Sequence, residues 1–332
     1  GRAPVSAEGD AARFVDKVIR YEKYLDQSDH RLPADFAVSV LLGSENWCMA
    51  DPNSLDVSAA GKEDIRRAYL AAAPGRFIFA RHYEDFANVA VADQGPDLDT
   101  ADTGRIVAGV QLPSNAVSLT SHGSPSYLCY LDIADVRSLI NPPGIWYANG
   151  CLTNMIDVTP GNCLGEEAML NPHGGAVAYV GNTRFGHTGD NPFELAFWEE
   201  MLRSPLLGEM FNACKRTCDN AWSQYAYNLL GDPAMRVWTD RPCDLEIGIR
   251  PFELCVDSDN TMSVSVYASG PVTDAVVVIS QNGARLARST SGRNGRASLT
   301  VHPRSTGQVD IAVFGDNLIP ALRQRPVVQC SP

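Results

Sequence analysis

The chain has 332 residues, 45% hydrophobic and 20% charged, with a net charge of −12 and a pI near 4.9. That length supports one large core plus a smaller domain, and the acidity argues against nucleic acid, whose phosphates require basic patches. No apolar run reaches the roughly 20 residues of a membrane-spanning helix, and the opening Gly1-Arg2-Ala3-Pro4-Val5 lacks the regions of a signal peptide, so any secretion signal is expected outside this piece.

Ser6 can cap a first helix whose apolar residues Phe14, Val18, Tyr21 and Leu25 recur at helical spacing, with Lys17, Arg20 and Lys23 expected toward solvent. Residues 36–43 read as a buried strand, followed by a polar loop over 44–56 that holds Glu45 and Asp56. A helix is expected over 58–72, ended by Pro74-Gly75, then a strand over 76–80, an acidic loop over 93–102 and a short helix over 103–110. The apolar run 116–121 delivers His122-Gly123, and the run 144–150 delivers Cys151. A short helix over 162–170, a buried strand over 174–181 and an exit loop over 182–187 follow. Two helical stretches, 192–203 and 206–230, carry Phe193, Phe197, Met201 and Tyr225 as expected core, and 235–238 reads as a closing edge strand. Strands alternating with helices imply an α/β sandwich around a mostly parallel sheet.

The pattern changes at Arg241-Pro242-Cys243. Short alternating strands (262–267, 275–280, 297–301, 309–314) separated by Gly, Asn and Pro turns indicate an immunoglobulin-like β-sandwich over 241–332, with Cys255 and Cys330 placed to staple it. It carries no His/Cys/carboxylate cluster, which fits a brace or a binding module.

Nine cysteines are many for a reducing cytosol. Setting Cys151 aside as a free thiol leaves eight, enough for four bridges in an oxidising compartment. Cys129 is read either as one of these or as a small buried apolar residue. Cys214-Lys215-Arg216-Thr217-Cys218 lacks zinc-ribbon spacing and is read as structural, and His173 and His187 have no ligand spacing for zinc. No metal site is assigned.

A His and a Cys at the carboxyl ends of neighbouring parallel strands would meet in the crevice where such sheets place their chemistry. Cys151 must be a thiolate to attack a carbonyl, and His122 can supply the base and later protonate the leaving amine. The oxyanion then needs backbone N–H donors; Gly123 and Cys151 offer theirs.

These residues carry a family resemblance. His122-Gly123-Ser124 after an apolar strand, and Cys151 after Ile145-Trp146-Tyr147-Ala148-Asn149-Gly150, resemble the gingipain-type cysteine peptidases, which have a caspase-like fold. Gly1-Arg2, the helix ending in Tyr21-Glu22, Glu166-Glu167-Ala168-Met169-Leu170, the segment 175–180, Gly231-Asp232-Pro233 and the step into an immunoglobulin-like domain extend the resemblance over essentially the whole chain. It implies a cysteine endopeptidase with Glu45 as the acid beside the histidine, fixing its tautomer and stabilising its charged form. It also puts Asp56 at the base of an S1 pocket, where a bidentate contact would select basic P1 residues.

The exit loop departs from the arginine-specific relatives: residues 182–188 lack the tryptophan that lids their pocket. Arg184 adds a positive charge, while His187 is read as lining the substrate groove or facing solvent. The family also has an additional α/β subdomain before the Gly-Arg segment, so a separate N-terminal subdomain or prodomain chain is an expected partner beside protein or peptide substrates. No organic cofactor is implied, and acidic loops such as 93–102 have the oxygen ligands that suit calcium. The expected setting is extracellular, cell-surface or periplasmic. A non-catalytic binding or adhesion protein on the same fold is the alternative; the presence of every chemical group favours the enzyme, and the cysteines and the sandwich disfavour a cytosolic caspase-like protease.

Overall fold

A computed structural model describes residues 2–5, 7–26, 28–46, 57–84, 95, 97–157, 161–187 and 190–330. The chain divides into two compact units, Gly1–Arg241 and Pro242–Pro332.

The strands of the first unit are β1 (Ser39–Ser44), β2 (Ile78–Tyr83), β3 (Leu98–Thr100), β4 (Ala116–Thr120), the short β5 (Gly123–Ser124), β6 (Tyr127–Leu128) and β7 (Leu131–Asp132), then β8 (Gly144–Asn149), β9 (Ala176–Asn182) and β10 (Tyr227–Leu230). Its helices are α1 (Asp10–Glu22), α2 (Val57–Ala72), α3 (Thr103–Gln111), α4 (Ile133–Ser138), α5 (Leu164–Leu170), α6 (Asn191–Met201), α7 (Leu207–Thr217) and α8 (Ala221–Ala226). Seven strands form one sheet in the order β10-β9-β8-β4-β1-β2-β3, parallel except for β10. The inner strands are apolar on both faces because helices cover both sides, as a parallel sheet requires. On one face Leu41, Leu119 and Trp146 pack with Ile106 and Val110 of α3 and Ala168 and Met169 of α5. On the other, the Tyr147 ring lies 5.2 Å from Phe197 of α6 and the Tyr69 hydroxyl of α2 donates to the Trp198 carbonyl. The result is the expected three-layer α/β sandwich.

A buried polar knot crosses that second face. Lys62 Nζ donates to Glu194 Oε1 at 2.5 Å and to Ser118 Oγ at 2.7 Å, and the Ser118 hydroxyl donates to Glu194. Burial lowers the Lys62 ammonium from its ordinary value, and Glu194 works against that loss. Arg81 forms a second buried pair. It reaches Asp97 with two bonds of 2.7 and 2.8 Å and Glu63 at 3.1 Å, while the Tyr83 hydroxyl donates to Glu63.

Several expected elements differ. Lys17 is buried rather than solvated: its ammonium donates to the carbonyls of Ala168, Met169, Gly174 and Ala176 at 3.3, 2.8, 3.0 and 3.2 Å. A long flexible stem let it satisfy the end of α5, although burial pushes its pKa down to about 7. The α1 helix starts after Gly9, whose backbone is left-handed, with Asp10 accepting from the Ala7 amide; Ser6 lies outside the described residues. The single helix expected over 206–230 is two helices and the antiparallel edge strand β10, because Cys218 and Asn220 leave helical geometry and Tyr227, Leu229 and Leu230 bury against β9. Residues 235–238 form no edge strand. Leu206 and Arg236 make one isolated bridge, and the Trp238 indole donates to the Tyr21 carbonyl. Tyr225 is exposed, and part of the acidic loop is β3.

The second unit is a two-sheet β-sandwich. Glu246–Arg250, Asn260–Tyr267 and Arg296–Val301 make one sheet; Leu254–Cys255, Leu318–Val328, Gly307–Gly315, Val276–Gln281 and Ala284–Thr290 make the other. Alternate residues of both, among them Met262, Val264, Val277, Ile279, Ile311 and Val313, fill the space between them. Cys255 and Cys330 are bonded. The expectation of four bridges is not met among the described residues. Cys129, Cys163, Cys214 and Cys218 are buried thiols, and Cys243 is an exposed one. Cys214 sits against the Tyr147 hydroxyl at 3.6 Å and Cys218 donates to the Asn220 carbonyl at 3.1 Å, so both act as small core side chains. Cys48 lies outside the described residues.

Candidate active site

Strands β1, β4 and β8 are neighbours and end on one rim of the sheet. Their register pairs Ser44 with Thr120, and Thr120 with Asn149. Glu45 follows the first of these residues at once, and His122 and Cys151 each follow theirs by two. Because adjacent strands lie about 4.8 Å apart, Glu45, His122 and Cys151 come directly after neighbouring strand ends on that rim, in that order. The Glu45 amide donates to the Thr120 carbonyl at 3.0 Å, and Ser121 N donates to the Asn149 carbonyl at 3.3 Å, which extends both ladders into the site.

Gly123 has a steric reason to be glycine. A Cβ there would lie 2.6 Å from the Cys151 carbonyl oxygen, 2.8 Å from the Cys151 nitrogen and 2.9 Å from the Gly150 carbonyl carbon. All three are backbone atoms, so nothing flexible can give way. The segment after His122 therefore packs directly on the peptide that carries the cysteine.

Cys151 is half-buried, and Leu152 after it has a left-handed backbone (φ 61°), uncommon for a branched residue. The Leu152 amide donates to the Arg184 carbonyl at 3.0 Å, and the Gly186 amide donates to Cys151 Sγ at 3.3 Å. His122 is exposed, and its carbonyl accepts from the Ser121 hydroxyl, whose oxygen accepts from the Cys129 amide at 2.6 Å.

Glu45 is half-buried and accepts from the Tyr127 hydroxyl at 2.8 Å. Burial pushes its carboxyl above the usual carboxylate value; the Tyr127 bond pulls it down, the Glu84 carboxylate pushes it up and His122 pulls it down. Glu84 is held by the Asn46 amide at 2.6 Å.

Of the residues expected to bind substrate, Arg184 is half-exposed and turns its two terminal guanidinium nitrogens to Asp157, at 3.0 and 2.8 Å, one of them also donating to the Thr183 carbonyl. It does not point inward as a free charge. His187 is exposed; its amide donates to Asp190 Oδ2 at 3.1 Å, which anchors the loop to the start of α6. Asp56 and Thr188 lie outside the described residues. Among the described residues no group of three or more His, Cys, Asp or Glu could hold a metal ion. The described acids of the 93–102 loop face arginines: Asp97 meets Arg81, and Asp99 and Asp102 meet Arg105.

Sequence reasoning missed Tyr127, Gly186 and Asp157. No spacing rule links a tyrosine five residues past a histidine to a carboxylate on another strand. The glycine in Asn182-Thr183-Arg184-Phe185-Gly186-His187 was the one available signal for a close backbone approach.

The arrangement has known counterparts. The chain is similar in structure to the Arg-specific cysteine proteinase gingipain R, with a TM-score of 0.75 and 15% identity over 98% of this chain and 74% of that one. A second solved structure, described as a protease, gives a TM-score of 0.72 at 15% identity over 97% and 73%. At such identity the likeness establishes the caspase-like fold. No curated protein matches the chain in sequence. The family model of peptidase family C25 matches residues 1–238, which span the whole sheet and its rim. The protein is a cysteine-type peptidase whose substrates are proteins or peptides, and the chain belongs to peptidase family C25.

Proposed function

We propose that this peptidase is an endopeptidase working through a Cys151–His122 dyad with Glu45 behind the histidine. The observation that supports this reading is the register of β1, β4 and β8, whose neighbouring ends the three residues directly follow. His122 takes the thiol proton. Sγ forms a bond to the scissile carbonyl carbon, and the carbonyl electron pair moves onto oxygen, toward the amides of Gly123 and Cys151. When the pair returns, the C–N bond breaks and His122 gives its proton to the leaving amine. Water, deprotonated by His122, then splits the thioester and restores the thiol. Glu45 stabilises the imidazolium present between these transfers.

A basic P1 preference through Asp56 rests on the resemblance alone, as does a separate N-terminal subdomain or prodomain chain as partner; an extracytoplasmic setting is supported by the cysteine content as well, and an immunoglobulin-like identity for the second unit by its pattern of short alternating strands. The Arg184–Asp157 pair bears on the first: it is closed on itself, so Arg184 would not repel a basic side chain.

Cleavage of a mixed peptide library by wild type, Cys151→Ala and His122→Ala tests the reading. Wild type should cut internal bonds, and either variant should lose roughly 10⁴-fold or more in kcat. Cleavage retained by Cys151→Ala would overturn the dyad. Cuts after acidic or apolar residues would overturn the role of Asp56 and leave the dyad standing.

A further inference from the structure

The sulfur proposed above as nucleophile is touched by a backbone group on a different strand's exit loop. The Gly186 amide donates to Cys151 Sγ at 3.3 Å, an ordinary length for an N–H donor on sulfur. That amide is held independently of the sulfur. On one side the Leu152 amide donates to the Arg184 carbonyl at 3.0 Å, and the Trp222 indole donates to the Phe185 carbonyl at 2.6 Å. On the other the His187 amide donates to Asp190 Oδ2 at 3.1 Å, while the Asp190 amide returns to the His187 carbonyl at 3.2 Å. Position 186 is also closed to a side chain, since a Cβ would lie 2.7 Å from Asn182 Nδ2. Asn182 is fully buried, and that same Nδ2 reaches the Gly150 carbonyl at 3.3 Å, one residue before the cysteine.

We propose that the Gly186 N–H is a catalytic group of this peptidase: it holds the Cys151 sulfur in place and stabilises the thiolate formed when His122 takes its proton. The inference rests on Cys151 being the nucleophile. A hydrogen bond to a charged acceptor is roughly twice as strong as one to a neutral acceptor, so a fixed N–H favours the anion over the thiol. It also ties the sulfur to the β9 exit loop, on the side of β8 away from β4, leaving the oxyanion donors Gly123 and Cys151 for the carbonyl oxygen. When Sγ bonds to carbon it loses its charge, and the amide contact weakens as the acyl-enzyme forms. Exit-loop geometry and nucleophile activation are thereby one device.

The test replaces the Gly186 amide by an ester, using glycolic acid at position 186 in the otherwise intact chain, which exchanges the N–H for an oxygen and makes the Phe185 carbonyl a weaker acceptor, an effect the Trp222 variant below measures separately. The readouts are the rate of Cys151 alkylation by iodoacetamide from pH 5 to 9 and the steady-state constants. Alkylation below pH 7 should fall about 10-fold, its profile should move to higher pH, and kcat should fall by a similar factor with KM little changed. Trp222→Phe, at a half-exposed position that keeps the fold, should move both readouts the same way by about 3-fold through loss of one fixing bond. An ester protein and a Trp222→Phe variant that both keep the wild-type alkylation profile would overturn the proposal. Failure of the underlying reading looks different: wild-type Cys151 would then alkylate no faster than exposed Cys243, and Cys151→Ala would still cleave peptides.

Discussion

The Tyr127 hydroxyl donates to Glu45 Oε2 at 2.8 Å while its own oxygen accepts from the Tyr130 amide at 3.1 Å. Tyr130 can aim that amide because Cys129 and Tyr130 both adopt left-handed backbone, with φ of 48° and 64°, in the two-residue turn between β6 and β7. Strain of this kind persists where surrounding structure over-determines it, and here the Ser121 hydroxyl also grips the Cys129 amide.

Tyr127→Phe should therefore act on the acid beside the histidine. Burial already raises Glu45, and the Tyr127 bond opposes it. Deleting the bond raises the carboxyl further, so its ionised form is reached at higher pH and the acid limb of kcat/KM moves upward. At the acid end kcat/KM should fall roughly 3- to 10-fold, the scale of one hydrogen bond. A pH–rate profile identical to wild type would remove Glu45 from the mechanism.

Gly123→Ala should abolish most activity and also lower the stability of the first unit by about 1–3 kcal/mol. Its Cβ meets only backbone atoms of Gly150 and Cys151, so one chain segment must move. Displacement of about 1 Å at a reacting group can cost 10²-fold in rate. Peptide cleavage set against the melting temperature checks this: activity should be lost at temperatures where the variant is still folded, and a fully active alanine variant would contradict the close approach.

Arg81→Met should destabilise the first unit by about 3 kcal/mol, because it leaves the buried Glu63 carboxylate with only the Tyr83 hydroxyl and the longer 3.7 Å contact to Arg66. Urea unfolding measures it, and Arg81→Met with Glu63→Gln should recover part of the loss. The exposed side of the same pair sets a pH signature. Burial raises Asp97, but the Arg81 fork outweighs it and holds the carboxyl below its ordinary value. Asp97 therefore contributes stability above its unfolded pKa and loses it as pH falls through the folded one. The stability gap between wild type and Asp97→Asn should be full near neutrality and close as pH falls below about 4.

Reduction, or Cys255→Ala with Cys330→Ala, should weaken the second unit by about 2–4 kcal/mol, as expected for a bridge closing a long loop; here the cysteines are 75 residues apart. Differential scanning calorimetry should show one transition lowered and the peptidase unit's unchanged. Equal shifts in both would contradict this.

The sheet was legible because buried parallel strands read as short apolar runs, and 116–121 and 144–150 are such runs. Their carboxyl ends pointed to His122 and Cys151 without any structure. What was not legible depends on long-range satisfaction of polar groups. Lys17 reads as a solvated helix position, and only the fold supplies four carbonyls to receive it. Residues 221–230 have helix-compatible composition throughout, yet the free edge of β9 recruits 227–230 as a strand, a tertiary demand that outweighs local preference. The cysteine count suggested covalent staples, whereas Cys163 and Cys214 are core packing whose thiols burial pushes up to about 12.

The placement of the dyad by register has an engineering consequence. His122 and Cys151 are each two residues beyond a laddered pair, so the strands carry the proposed base and nucleophile together. A one-residue slip between β4 and β8 would separate the two groups by a full residue rise, about 3.3 Å. A foreign exit loop grafted after β9 would have to bring a backbone N–H to the sulfur where Gly186 now does, so the loop cannot be exchanged without regard to the reaction.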